Sequence, residues 1–244
     1  MRVVVIGGGR SGRAIERALL ERGATVELLS RSTGFDVLTD DLPSRLGAAE
    51  VVIEATGRFT MSRKVATEFF TRSTRAVGAA AGAAGVRHVL LSIVHCDLPE
   101  VQGYGYFAGK TAQEHAARST GADLTMVRST QWFEFAEQNL ERMQRGPFAL
   151  VPGMTIKPVA LDAVAAVLAE AALDDRSGRR IEVSGPEVTT LWTMTKDLPR
   201  RRAVPVPLPI PGRLGRAFRD GALVPDRDAR IVGPRFGDWL ADRT

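Results

Sequence analysis

Residues 3–22, VVVIGGGRSGRAIERALLER, decide the fold. Val3 to Ile6 is a short, unbroken apolar run of the kind buried on both sides in a parallel sheet. From Ser11 to Arg22 the period changes to that of a helix, with Ile15, Ala18 and Leu19 on its apolar face. Between them Gly7, Gly9 and Gly12 form Gly-x-Gly-x-x-Gly. In a strand-turn-helix setting each glycine has its own task. Gly7 permits the tight turn, Gly9 lets backbone approach a pyrophosphate without a Cβ in the way, and Gly12 allows helix to pack closely on strand. The helix N-terminus at Arg10 and Ser11 then offers free N–H groups and a positive dipole end to an anion.

Outward from this unit the same alternation continues. Val26 to Leu29, Val51 to Ala55, His88 to Val94, Leu124 to Arg128 and Arg180 to Val183 read as strands. Leu42 to Leu46, Lys64 to Ala84 (ending at Gly85), Ala108 to Ser119 and Leu161 to Leu173 read as helices. Alternating strands and helices predict an α/β fold, a Rossmann-type doubly wound parallel sheet. Residues 1–135 are expected to form the nucleotide-binding core. Residues 136–244 are expected to form a smaller lobe that lids the strand ends and completes the same single domain. The proline-rich stretch Arg200 to Arg213 excludes regular helix and central strand.

Composition bounds the class. With 244 residues, 44% hydrophobic and 25% charged, the chain suits one ordinary domain. One cysteine, Cys96, excludes an internal disulfide, and His88, His95 and His115 lack ligand spacing, so no metal is expected. No apolar run is long enough to cross a membrane and the start lacks a signal-peptide layout, so a cytoplasmic protein with no membrane partner is expected. The pI near 10 is local: residues 196–244 carry 11 basic and 6 acidic side chains, the whole excess of +5. That run, Lys196 to Arg219 with Arg200, Arg201, Arg202, Arg213, Arg216 and Arg219, reads as a solvated lid, and no nucleic acid is expected. A monomer or homodimer is expected.

At the end of the second strand, Ser30-Arg31-Ser32 stands where an acid would bind the ribose hydroxyls of NAD. Two hydroxyls and a guanidinium favour a 2′-phosphate instead, with Arg10 able to reach it, so NADP(H) is preferred over NAD(H). Tyr106 and Lys110 form Tyr-x-x-x-Lys after the fourth strand, and Ser92 lies on that strand. With two tyrosines and four lysines in the chain, chance supplies about 0.03 such pairs at this spacing. The i, i+4 spacing places Lys110 beside Tyr106, where its charge lowers the phenol pKa. A phenol so tuned protonates a carbonyl oxygen as hydride arrives, and the Ser92 hydroxyl orients that oxygen. Tyr104 is a competing phenol. Trp132, Phe133 and Phe135 read equally as pocket lining or as core.

Together VVVIGGGRSG, EFFTRSTRAVGAAAGAAGVRHVLLSIV, GYFAGKTAQEHAARSTGADLTMVRSTQWFEF and LVPDRDARIVGPRFGDWLA resemble the short-chain dehydrogenase/reductase superfamily, in its atypical NmrA-like branch. The resemblance implies a sheet of about six or seven strands, NADP in the glycine loop and a substrate cleft capped by the C-terminal part. It also implies Thr56 and Gly57 by the adenosine and Ser129, Thr130 and Gln131 by the nicotinamide. The Gly7 to Gly12 turn is one residue shorter than the relatives' Gly-x-x-Gly-x-x-Gly. His95 stands where they carry glycine, and reads as a loop residue ahead of an extra proton donor. The expected activity is NADPH-dependent reduction of a small carbonyl or quinone-like acceptor. Two alternatives stay open: a non-catalytic NADP(H)-sensing regulator, and an isomerase or epimerase that recycles NAD.

Overall fold

A computed structural model describes residues 1–174, 178–199, 201 and 203–243. Arg200 and Arg202 of the basic run lie outside the described residues. The elements in order are β1 (Arg2–Ile6), α1 (Arg10–Leu20), β2 (Thr25–Leu29), α2 (Leu42–Leu46), β3 (Val51–Glu54), α3 (Arg63–Ala84), β4 (Arg87–Ile93), α4 (Gly105–Arg118), β5 (Leu124–Ser129), α5 (Phe135–Met143), β6 (Gln144–Arg145), β7 (Phe148–Pro152), β8 (Thr155–Ile156), α6 (Leu161–Leu173), β9 (Arg180–Ser184), β10 (Thr189–Thr190), α7 (Leu191–Asp197), β11 (Val204–Leu208), α8 (Gly212–Arg219), β12 (Arg230–Ile231) and α9 (Phe236–Ala241).

Among the described residues seven strands form one sheet in the order β12-β9-β5-β4-β3-β1-β2, every neighbouring pair parallel. The doubly wound α/β Rossmann fold read from the sequence is the fold observed. After β1 the chain turns one way to β2 and then the other way to β3, so the switch point lies between β1 and β3 at their C-terminal ends. Ligands of such sheets bind there. Both faces are covered. Val3, Val5, Ile53 and Val127 pack with Ile15 and Leu19 of α1 and Val164 and Leu168 of α6. Val4, Ile6 and Val52 pack on the other side with Leu42 and Leu46 of α2 and Val77 of α3.

The C-terminal half divides its work. Helix α6 with strands β9 and β12 returns to the sheet. Segments from α5 to β8 and from α7 to α9 build a separate core of Phe133, Val151, Leu191, Met194 and Phe218 beyond the strand ends. Within the proline-rich stretch, Val204–Leu208 forms β11 at the edge of a three-stranded sheet beside β7. Pro205 and Pro207 alternate with Val204 and Val206, so the missing N–H groups face away from β7 while Val204 N donates to Pro147 O. An edge strand is the one place in a sheet where this pattern fits. No helix among the described residues is long and apolar enough to cross a membrane.

Candidate active site

The switch point opens into a cleft of about 860 Å³ between the sheet ends and the C-terminal cover. Gly7, Gly9, Ser11, Ser30, Arg31, Thr56, Gly57, Ser92, Tyr106, Lys110, Ser129, Thr130 and Gln131 all line it. Gly7 has φ +126°, and a Cβ there would stand 2.5 Å from Ala55 O. At Gly12 a Cβ would fall 1.5 Å from Gly7 O, so Gly12 closes the helix onto the loop without itself reaching the cleft. Gly9 differs: a Cβ there meets no protein atom within 4 Å. The loop leaves open space at the N-terminus of α1, which no side chain caps and where no acid stands in the first turn. That is a phosphate-ready cradle.

At the end of β2, Ser30 Oγ lies 2.8 Å from Ser32 Oγ, and exposed Arg31 follows in a short turn of helix. Arg10 is exposed, and its guanidinium lies 3.8 Å from Glu137 on α5. Phe35, Asp36, Val37 and Leu38 complete this end of the cleft and were not singled out in the sequence. Asp36 accepts a hydrogen bond from Leu38 N at 2.9 Å.

Past the loop, Thr56 gives its hydroxyl hydrogen to Glu54 at 2.8 Å. Ser129 Oγ accepts from Trp132 Nε1 at 3.1 Å and Thr130 Oγ1 donates to Lys157 O at 2.6 Å. Gln131 Oε1 is buried with no partner among the described residues. A buried acceptor without a donor is costly and marks a place where a ligand supplies one. A cavity with a phosphate cradle at one end and this orphaned acceptor further in fits a nicotinamide dinucleotide.

The Tyr-x-x-x-Lys pair does not act as its spacing predicts. Helix α4 begins at Gly105, so Tyr106 sits in its first turn. Its ring lies against Phe70 and Phe59, with centroids 5.8 and 6.2 Å away. Burial pushes the phenol up to about 12, and the charge that opposes burial is Arg142's. Lys110 turns elsewhere. Its ammonium donates to Leu91 O at 2.7 Å and to Gln113 Oε1, and lies 5.1 Å over the Phe70 ring. Gln113 in turn donates to Glu54 at 2.9 Å, which also accepts from Thr74 and faces His88 Nε2 at 3.1 Å. Burial lowers Lys110 to about 8, against the pull of Glu54. The expected lowering of the Tyr106 phenol by Lys110 is therefore replaced by its opposite: a phenol that is neutral and carries its proton at any physiological pH.

Ser92 is spoken for on the far side. Its hydroxyl donates to Glu114 Oε1 at 2.7 Å, and Glu114 also holds Arg128 at 2.5 and 2.7 Å. Burial acts to raise the Glu114 carboxyl, but the hydrogen bonds from Arg128 and Ser92 hold it below the usual range. An ionised carboxylate only accepts, so Ser92 shows the cleft a lone pair rather than a hydrogen. His95 does not line the cleft. Its φ is +57°, its Nδ1 lies 2.9 Å from Ala222 O, and it ties the loop after β4 to the C-terminal cover.

The remaining walls are apolar. Trp132 and Phe135 line the cleft, whereas Phe133 is wholly buried against Phe236 and Trp239. The helix α5 also brings Gln138, Asn139 and Arg142 to the cleft.

The chain matches an NAD-dependent NDP-hexosamine 5,6-dehydratase of tunicamycin biosynthesis over 98% of its length and 96% of that chain, with a TM-score of 0.72 and 16% identity. A UDP-N-acetylglucosamine 4-epimerase from Bacillus cereus matches with coverages of 99% and 94%, TM-score 0.70 and 13% identity. An NADPH-dependent quinone oxidoreductase from Escherichia coli, in complex with NADPH, matches over 99% of both chains, with TM-score 0.68 and 16% identity. This is the fold of NAD(P)-binding dehydratases, epimerases and reductases. No protein-family model matches the chain, and no curated protein matches it in sequence.

Proposed function

We propose that this chain is an NADPH-dependent reductase of the short-chain dehydrogenase/reductase type, NmrA-like, acting on a small carbonyl or quinone-like acceptor. The observation that carries the proposal is one continuous cleft that joins the open cradle at Gly9, the orphaned Gln131 Oε1 and the protonated Tyr106 phenol. Gly7, Gly9 and Ser11 hold the pyrophosphate with Gly12 closing the turn behind them, Ser30 and Arg31 the adenosine phosphate, Thr56 and Gly57 the adenosine, and Ser129, Thr130 and Gln131 the nicotinamide. The preference for NADPH rests on Arg31 standing where an acid would repel the 2′-phosphate. Once bound, NADPH supplies a hydride to the acceptor's carbonyl carbon. Tyr106 would give its phenolic proton to the carbonyl oxygen and regain one from solvent, so that hydride and proton together make the alcohol, or on a quinone the hydroxydienone that tautomerises to the hydroquinone. Lys110 contributes its charge from the cleft wall, and Ser92 offers the acceptor's oxygen, once it carries the proton, a lone pair.

One observation favours a second reading, an NADP(H)-sensing regulator without turnover. The Ser92 hydrogen and the Lys110 ammonium are both committed to acceptors within the protein. The two readings part on Tyr106→Phe. NADPH oxidation is followed with quinone and aldehyde acceptors, and NADPH affinity is measured in the same proteins. The reductase reading expects kcat to fall about a hundredfold or more with affinity unchanged. NADPH that binds but is oxidised by no acceptor supports the sensor. Cofactor that survives dialysis and isomerises a sugar nucleotide supports an epimerase.

A further inference from the structure

The cleft is electrically one-sided, with Arg31, Arg58, Lys110 and Arg142 among the described residues that line it. Its walls include Phe59, Met61, Trp132, Phe135, Met154 and Phe218. Among the described residues that line the cleft the one carboxylate is Asp36, in the segment after β2 at the glycine-loop end. From α5 the exposed Arg142 reaches this cleft. Its guanidinium carbon lies 4.4 Å from the centre of the Phe59 ring, and Phe59 in turn neighbours Tyr106. Cation, ring and phenol thus follow one another along the cleft wall, with the Phe59 ring tilted 43° to that of Tyr106. Tyr104, whose ring packs on Phe107 and Phe218, lines the same cleft. Among the described residues no carboxylate lies within ion-pair distance of Arg142.

A guanidinium held over a ring, in a cleft that two phenols also line and with no acid at ion-pair distance among the described residues, suits a planar anion. Its fork matches a carboxylate through two parallel hydrogen bonds. Flat aromatic walls select a flat body for the molecule that carries it.

We propose that Arg142 anchors a carboxylate of the substrate, and that the acceptor is a planar aromatic or quinonoid carbonyl compound bearing an acid group. This rests on the reading of the cleft as a reductase site and names its substrate class.

The test is calorimetric titration of the NADP+-loaded protein with para-formylbenzoate and with its methyl ester, which share ring and aldehyde and differ in charge. Wild type is expected to bind the acid about tenfold tighter than the ester. Arg142→Met should bring the acid down to the ester's level and leave the ester unchanged, and Arg142→Lys should restore part of the difference. Equal binding of acid and ester by wild type, no detectable binding of the acid, or a preference that survives Arg142→Met overturns the proposal. A prior NADP+ titration of each protein separates the two readings. If NADP+ binds and the acid is not preferred, the anchor falls and the reductase reading stands. If NADP+ does not bind, the reductase reading falls, and the acid and ester are compared on the cofactor-free protein with the same criteria.

Discussion

The Ser92 hydroxyl donates to Glu114 Oε1 across 2.7 Å, and the same carboxylate grips Arg128. The register of the sheet makes this possible, because Ser92 on β4 stands opposite Arg128 on β5 and both meet Glu114 of α4. Glu114→Gln takes from the buried Arg128 guanidinium its most buried carboxylate, leaving Asp97 at 2.8 Å and Glu182 at 3.6 Å, and should cost about 2 kcal/mol in urea unfolding at neutral pH. Ser92→Ala loses one hydrogen bond and should cost about 1 kcal/mol. The carboxyl is held below its ordinary 4.5, so its contribution is present above that value and is lost as pH falls through the lowered one. The gap between wild type and Glu114→Gln should therefore close on acidification below pH 4.5. A gap that stays constant into acid would remove the carboxylate from the account.

Tyr104→Phe leaves Tyr106 as the chain's one tyrosine, so phenolate absorbance then reports a single group. Burial, opposed by Arg142, puts that titration near 12, above the ordinary 10. The groups that face the phenol are Arg142 of α5, Phe70 of α3, Phe59 of the loop before it, Cys96 and Tyr104. Lys110 shares its helix but is held by Leu91 and Gln113. A raised phenol stabilises the folded chain below pH 10, and this contribution is lost as pH rises from 10 toward 12. Titration below 10 would return Lys110 to the role that the Tyr-x-x-x-Lys spacing assigned it.

Arg31→Ala should weaken NADPH binding about tenfold and leave NADH binding unchanged, since the guanidinium is proposed to meet only the 2′-phosphate. Fluorescence titration with each cofactor decides it. Equal losses for both would mean that Arg31 supports the loop and not the phosphate.

The first five strands and their helices were legible because they are carried by unbroken apolar runs, with Gly7 and Gly85 marking a turn and a helix end. Their observed bounds fall within a residue or so of those read, except that α4 begins three residues earlier and takes Tyr106 into its first turn. Past Ser129 α6 and β9 were legible, read at Leu161 to Leu173 and Arg180 to Val183, and the elements around them were not. Strands β6, β8 and β10 are two residues each and carry no period, and β11 is legal with its prolines only because it lies at an edge. A usable signal did exist on α5: Phe135, Gln138, Asn139 and Arg142 recur at helical spacing and share the face toward the cleft. The Glu114 and Lys110 networks could not be read at all. They join residues on β3, β4, β5 and α4 whose meeting depends on strand register and on how α4 lies over the sheet.

The central claim is that the Gly7 to Gly12 loop cradles the pyrophosphate of NADPH. Gly9→Ala tests it most directly, because the added Cβ meets no protein atom within 4 Å and the residue's φ of −74° suits alanine. Calorimetric titration of wild type and Gly9→Ala with NADPH, alongside their melting curves, is predicted to show nearly equal Tm values and affinity weakened about tenfold or more, as a Cβ in the pyrophosphate's path requires. Equal affinity in the two proteins, or no binding of NADPH to wild type, would contradict the account.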